Sequence, residues 1–370
     1  MLHPSLAPRG GAENYLLELA AGLENLGHQV KILTLADIGK DSLAARFQGE
    51  HESLQLRVRF HLLDIFGMPH FKLLRMVRDF APDVVHVHNW QRLRLMTLRF
   101  VSRRWKTYAT VHDYALADPH STLMRHYSRA SRLAFRLRYS FAVRLLSRVV
   151  WLFPAQRTHD ILTANVPKSP LRYRVLPLGV RDKLQLGGLT MQPNRSFGYL
   201  GALEPHKGVD LLLEALESLP PTLNFSFHFA GAGSLASSVR ELAERDSRVH
   251  FHGSVSGESK KDVFRVTRWL VFPSTCYENF SIVCCEAVLA GRPVLSSRIA
   301  APPMVPSAAL HIFDEKLGST ALAEALVKLL DTDSESYQLQ VAEIAAAAPR
   351  LNFDQHVSAL AALYLDREER

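Results

Sequence analysis

The feature that most constrains this chain is its rhythm. Short apolar runs alternate with helical patterns almost from end to end. HQVKILTLA (28–36) follows the helical AENYLLELAAGLENLG, PDVVHVHNW (82–90) and KTYATVHDY (106–114) read as buried strands, and RYRVLPLGV (172–180) closes the first half. Strands buried on both faces are nearly continuous in apolar residues, and alternation with helices builds parallel sheets from βαβ units. Residues 181–194, RDKLQLGGLTMQPN, lose the rhythm and are read as an interdomain linker. The pattern then restarts with RSFGYLGAL (195–203), NFSFHFAGAG (224–233), RVHFHGSV (248–255), RWLVFPS (268–274), PVLSS (293–297) and ALHIFD (309–314). The expectation is an α/β chain with one doubly wound domain over 1–180 and a second over 195–350. The amphipathic segment 351–370 forms a closing helix. The opening MLHPSL is short for the central first strand such a domain uses, so either that strand is very short or the true start lies upstream.

The totals narrow the function classes. With 370 residues, 47% hydrophobic and 22% charged, the chain has the composition of a globular protein of about two domains. No apolar run reaches the ~20 residues that cross a bilayer, and the first residues lack the basic flank and apolar core of a signal peptide. Cys276, Cys284 and Cys285 form no CxxC pair and no even disulfide set, which points to a reducing cytoplasm. Charge is uneven: residues 1–180 hold 26 Lys and Arg against 13 Asp and Glu, whereas 181–370 hold 18 against 23. One half is therefore expected to meet an anionic partner.

Three stretches carry candidate chemistry. In CYENFSIVCCEAVLAGRPV (276–294), Asn279 is placed to cap a helix running from Phe280 to Gly291. Exposed N–H groups at such a start bind phosphate. Glu278 and Glu286 lie beyond the end of a parallel strand, where open α/β sheets place ligands, and a carboxylate accepting two hydrogen bonds suits vicinal hydroxyls. The plainer reading makes Glu278 a loop cap and Glu286 an exposed side chain. In YLGALEPHKGVDLLLEAL (199–216), Lys207 and Gly208 sit at a strand-to-helix turn. A lysine there can neutralise a diphosphate, or can simply be solvated. In APRGGAENY (7–15), Gly10 and Gly11 open a helix, but the third glycine of GxGxxG is missing, which weakens a dinucleotide oxidoreductase.

Taken in order, these motifs resemble the retaining family-4 glycosyltransferases of GT-B fold. GGAE follows the first strand, a VHDY-like strand end follows, GxLxPxKG opens the second domain, and E-x7-E runs into EAxxxGxPV. The resemblance implies two Rossmann-like, doubly wound domains facing a cleft. It implies a UDP- or GDP-sugar donor held by the second domain and an acceptor hydroxyl, on a glycan or a lipid-linked acceptor, held by the first. Glu286 would hold the ribose, Glu278 the sugar hydroxyls and Lys207 the leaving diphosphate. Backbone N–H groups of Asn279, Phe280 and Ser281 would cradle phosphate with Gly10 and Gly11, and His112 matches the family histidine near the donor sugar. Neither a metal nor another cofactor is implied, and no protein nucleophile, so the glutamates are not read as an acid–base pair. Polysaccharide, lipopolysaccharide or glycolipid synthesis is the implied setting.

Two positions depart from the family pattern: Ala202 stands where an arginine is frequent, and RIAAPPMVPS (298–307) replaces a glycine-rich turn with glutamate. They keep open a non-catalytic nucleotide-sugar or glycan-binding relative. Elsewhere, His86 and His88 share a strand face and with His112 could suggest a metal site, but no acidic or cysteine partner is spaced to complete it, and Asp331-Thr332-Asp333 reads as a helix cap. Residues 125–148 contain seven arginines and no acid. On a helix Arg125, Arg129, Arg132 and Arg136 form a stripe beside Leu133, Leu137, Phe141 and Leu145. Such a basic amphipathic helix suits an anionic membrane surface on the cytoplasmic side, and no nucleic-acid motif accompanies it.

Overall fold

The computed structural model describes residues 1–4, 11–39, 64–116, 129–164, 171–186 and 195–366. The chain divides into two compact units, Met1–Gly179 with Phe353–Arg370, and Val180–Asn352.

The first unit is built on a parallel sheet of β1 (Val84–His88), β2 (Lys106–Thr110), β3 (Val150–Phe153) and β4 (Tyr173–Val175), hydrogen-bonded in that order. The chain start extends it past β1: Leu2 bridges Val87 on one side and Leu33 on the other, both in parallel. Leu2 N–H donates to His86 O at 2.8 Å and His88 N–H donates to Leu2 O at 2.8 Å. Among the described residues, HQVKILTLA pairs with residues 1–4, through Leu33 and Leu35, and forms no full ladder. The surrounding helices are α1 (Gly11–Asn25), α2 (Phe71–Phe80), α3 (Leu95–Arg104), α4 (Arg129–Leu145) and α5 (Gln156–Ala164). α1 buries Tyr15, Leu16, Leu19 and Leu23, which fall on one side of a 3.6-residue period.

The second unit holds β5 (Ser196–Leu200), α6 (Val209–Ser218), β6 (Ser226–Ala230), α7 (Ala236–Arg245), β7 (Val249–Phe251), α8 (Gly257–Val266), β8 (Trp269–Phe272), α9 (Ile282–Leu289), β9 (Val294–Ser297), β10 (Leu310–Phe313), α10 (Gly318–Leu330) and α11 (Ser334–Ala347). Its six strands are parallel in the order β10-β9-β8-β5-β6-β7. Alternate side chains split between two cores, as the two-residue strand period requires. Phe197, Tyr199, Phe227, Phe229, Trp269 and Val271 pack with α6 and α10. Leu200, Ala230, Leu270 and Phe272 pack with α8 and α9. Covering both faces is what makes these strands apolar throughout. The last helix, α12 (Phe353–Leu365), returns to the first unit and packs on α1.

The strand order fixes where a ligand can bind. The chain enters the second sheet at β5, runs outward through β6 and β7, and then resumes on β5's other side at β8. The order reverses between β5 and β8, and ligands of open α/β sheets bind beyond the carboxyl ends of the strands at such a reversal.

Candidate functional site

Lys207 and Glu278 meet at that reversal. Beyond β5 the chain makes one turn of 3-10 helix, Pro205–Lys207, and then passes through Gly208 at φ 72° into α6. A Cβ at residue 208 would lie 2.0 Å from Pro273 O, so only glycine allows this close approach. The two loops are clipped together by Thr275 N–H, which donates to His206 O at 3.1 Å. This geometry brings Lys207 Nζ to 2.7 Å from Glu278 Oε1, and the same oxygen accepts from Ser274 Oγ at 2.7 Å. Burial of Lys207 disfavours its charge, but adjacent Glu278 outweighs burial and holds the ammonium above its ordinary value.

The start of α9 differs from the sequence expectation. Ser281, not Asn279, is the cap: it is extended at φ −96°, and its side chain accepts from Cys284 N–H at 3.3 Å. Glu278 is bonded to both Ser274 and Lys207, which holds 274–279 as a loop, and Asn279 is buried within it. Asn279, Phe280 and Ser281 thus lead into α9 instead of forming its first turn. The helix also stops at Leu289, short of Gly291. Gly291 N–H donates to Val288 O at 3.1 Å and Arg292 N–H to Ala287 O at 2.7 Å, with Gly291 at φ 70°, which is a Schellman ending.

Glu286 faces inward from α9 and is paired with Lys260 of α8, Nζ to Oε1 2.6 Å. Its other oxygen, Oε2, is buried and has no hydrogen-bond partner. Burial raises the Glu286 pKa, and Lys260 pulls it partly back. The exposed-side-chain reading of Glu286 therefore fails, with only 14% of its side chain exposed. Lys260 was not foreseen. It lies on a helix between β7 and β8, in no motif, and only the packing of α8 beside α9 reveals it. Glu278, Glu286 and Lys207 nonetheless share one neighbourhood, since all three act electrostatically on buried Cys284.

The remaining candidates belong to the first unit. Gly11 opens α1, while Gly10 lies outside the described residues. His112 lies two residues past β2, with Nε2 3.1 Å from Nδ1 of His88 at the end of β1. Tyr15 of α1 sits edge-on to His112, ring centroids 5.4 Å apart. Burial lowers the His112 pKa to about 3, with His3 adding to the effect. His86 is structural: it contacts Tyr364 OH at 2.5 Å and Thr110 Oγ1 at 2.8 Å.

Other sequence features settle into structural work. Asp333 caps α11, accepting from Ser336 N–H and Oγ, each at 2.8 Å. All three cysteines are free and buried. Among the described residues no group of three or more His, Cys, Asp or Glu is placed to hold a metal ion. Nor, among them, is any helix long and apolar enough to cross a membrane. On α4, Leu133, Leu137 and Phe141 are exposed, whereas Arg138 is buried and donates to Ala115 O at 2.7 Å. Arg125 lies outside the described residues.

Two parallel, doubly wound units, with charged side chains paired at the reversal of the second sheet, define a two-domain α/β protein with two Rossmann-like units. A family model described as Glycosyl transferases group 1 matches residues 194–332, and one described as Glycosyltransferase Family 4 matches residues 9–184. The chain belongs to the group 1 glycosyltransferases of GT-B fold. It is 24% identical over 331 residues to an uncharacterized 42.6 kDa protein in the cps region of Klebsiella pneumoniae, covering 78% of this chain and 82% of that one. It is 28% identical over 146 residues to the O-antigen chain mannosyltransferase B of Escherichia coli, 38% of this chain and 36% of that one. The crystal structure of Anabaena HepE in complex with UDP shares the fold, with TM-score 0.64 and 17% identity over 98% of both chains.

Proposed function

We propose that this chain transfers a sugar from a UDP- or GDP-sugar to an acceptor hydroxyl in polysaccharide, lipopolysaccharide or glycolipid synthesis, with retention of configuration and without a metal. The observation that carries the reading is the Lys207–Glu278 pair at the reversal of the second sheet, 2.7 Å across. The UDP complex of HepE and the name of the O-antigen mannosyltransferase support the donor class and the setting.

The chemistry follows from the groups present. The bond from the sugar C1 to the diphosphate oxygen breaks as the acceptor oxygen bonds C1 on the same face. The acceptor's proton passes to the departing phosphate. Negative charge grows on the diphosphate, and a fixed cation there stabilises the transition state more than the ground state. Lys207 supplies that cation; Glu278 keeps it protonated in the resting protein, and the diphosphate's own charge does so once it takes the ammonium. Glu286 Oε2 is free to accept a ribose hydroxyl. Incubation with a panel of nucleotide sugars and acceptor extracts should release nucleoside diphosphate, and Lys207→Ala and Glu286→Ala should each abolish most of it. Undiminished release in both variants defeats these assignments.

Two observations favour a second reading, a binding protein without turnover. Ala202 supplies no cation and its carbonyl accepts from Tyr199 OH at 2.5 Å. The 298–307 segment buries Ile299, Ala300 and Val305, so its side chains serve the core. Tight UDP or GDP binding with no release from any nucleotide sugar selects this reading. In either case the exposed Leu133, Leu137 and Phe141 of α4, flanked by exposed Arg132 and Arg136, suit an anionic bilayer surface. Co-sedimentation with phosphatidylglycerol vesicles that is lost in Leu137→Glu supports it, and equal pelleting of the variant refutes it.

A further inference from the structure

His88 is fully buried at the end of β1, and the proposed function gives it no task. Its Nδ1 lies 3.1 Å from Nε2 of His112, and its own Nε2 is buried with no hydrogen-bond partner. Two nitrogens this close need one proton between them. There are two ways to place it. If His112 donates from Nε2, neutral His88 must carry its proton on Nε2, where a buried N–H meets no acceptor. If His88 donates from Nδ1, its Nε2 is a bare lone pair. A buried donor left unpaired is the rarer and costlier of the two in proteins. The second arrangement also fixes the other ring: His112 accepts at Nε2, so its proton resides on Nδ1.

We infer that His88 is a positioning residue, which donates Nδ1–H to His112 Nε2 and thereby makes His112 present an Nδ1–H donor to substrate. His112 is half-buried, so the nitrogen left over from this bond is the one able to meet a ligand. Burial holds both rings neutral at pH 7, with His86 and His112 adding to the effect at His88, so the pair shares a single bridging proton. The surroundings keep the register: Leu2 O accepts from His88 N–H at 2.8 Å, and the Tyr15 ring lies against both imidazoles, 5.9 Å from His88 and 5.4 Å from His112. An imidazole locked in one tautomer by a neighbour on its far side is a recurrent way to aim a single donor, and at metal-ligating histidines losing such a neighbour costs about 10–100-fold.

The inference rests on the proposed transfer reaction, with His112 meeting its substrate, and the test separates the two claims. Full-length protein labelled with 15N-histidine reports its tautomers in long-range 1H–15N correlation spectra at pH 7, with His112 assigned by His112→Gln. Wild type should show the Nδ1–H form. His88→Asn, whose amide N–H takes the place of Nδ1–H, should keep that form and keep turnover. His88→Leu should move His112 toward the Nε2–H form and lower kcat by about 10–100-fold, with little change in donor Kd. An Nε2–H wild type, or a tautomer indifferent to His88→Leu, overturns the inference. If wild type turns over no donor yet His88 still sets the tautomer, the transfer reaction is refuted and the positioning stands.

Discussion

Lys260→Met removes the cation from the Glu286 pair while keeping most of the side chain's length. The pair is 2.6 Å across, with 25% of the lysine side chain and 14% of the glutamate exposed. Breaking a fully buried pair costs about 3–5 kcal/mol because a charge is left stranded. Two features lower that here. A quarter of the lysine is exposed, so water screens part of the attraction. Glu286 can also escape by taking up a proton, since burial already raises its pKa. The expected loss at pH 7.5 is about 1–3 kcal/mol, which for a domain of this size lowers Tm by roughly 3–10 °C. The loss should depend on pH, and its sign is fixed. A carboxyl whose folded pKa lies above its unfolded value of about 4.3 binds protons more tightly when folded, so stability falls as pH rises between the two values. Losing Lys260 raises the folded value further and widens that window. The deficit of Lys260→Met against wild type should therefore grow as pH rises and be smaller at pH 5 than at pH 8. Urea denaturation at pH 5, 6.5 and 8 measures it. Adding Glu286→Gln, which cannot ionise, should remove the pH dependence. A variant within about 0.5 kcal/mol of wild type at pH 8, or a deficit that does not change with pH, refutes the argument.

Gly208→Ala should lower stability by about 2 kcal/mol or more, because it adds a left-handed penalty of about 1–2 kcal/mol to a Cβ only 2.0 Å from Pro273 O; thermal unfolding close to wild type would mean the turn can relax. Tyr15→Phe should cost about 1–3 kcal/mol in urea denaturation. His356 Nδ1 donates to Pro177 O at 2.8 Å, so its Nε2 accepts from Tyr15 OH at 2.6 Å and is left buried and unpaired by the change; an unchanged midpoint argues against that bond. Ala202→Arg should tighten nucleoside diphosphate binding by about 5-fold or more in calorimetry, as charge-assisted phosphate contacts do. Equal affinity would place residue 202 away from the diphosphate.

The strands were legible because both sheet faces are covered. WLVF of β8 sends Trp269 and Val271 into one core and Leu270 and Phe272 into the other, and such a segment has no polar side to confuse its reading. The segment 28–36 was harder, since its apolar character is the same whether it forms a ladder or only flanks residues 1–4. Motif order placed Lys207, Glu278 and Glu286 at strand-to-helix junctions, yet gave no sign that they bond in pairs. Pairing depends on strand order: β5 and β8 are neighbours in the sheet although two strands, β6 and β7, and their helices lie between them along the chain. Nothing in GESKKDVF marks Lys260 out from Lys261. The cap of α9 differs from the expectation for a related reason, since one of the two Glu278 contacts that keep Asn279 in the loop comes from Lys207, 71 residues away along the chain.

The pairing also alters what the two glutamates require of a ligand. In the resting protein Lys207 is satisfied by Glu278, and Lys260 by Glu286. A diphosphate that takes Lys207 must first break its bond to Glu278. Were nothing to replace it, a carboxylate 16% exposed would lose its cation, and the cost would offset much of what the phosphate gains. Hydroxyls of an attached sugar can replace it: they donate to the freed carboxylate while the phosphate takes the ammonium. The exchange conserves charge-assisted bonds only for a ligand carrying both groups. On the proposed function, ion-pair exchange of this kind would favour the whole nucleotide sugar over the nucleoside diphosphate it leaves behind, and departure of the product would restore the resting pair. Ala202 fits the same logic. A second fixed cation would bind the diphosphate whether or not a sugar was attached, and its absence makes Glu278's demand for a hydroxyl partner count for more.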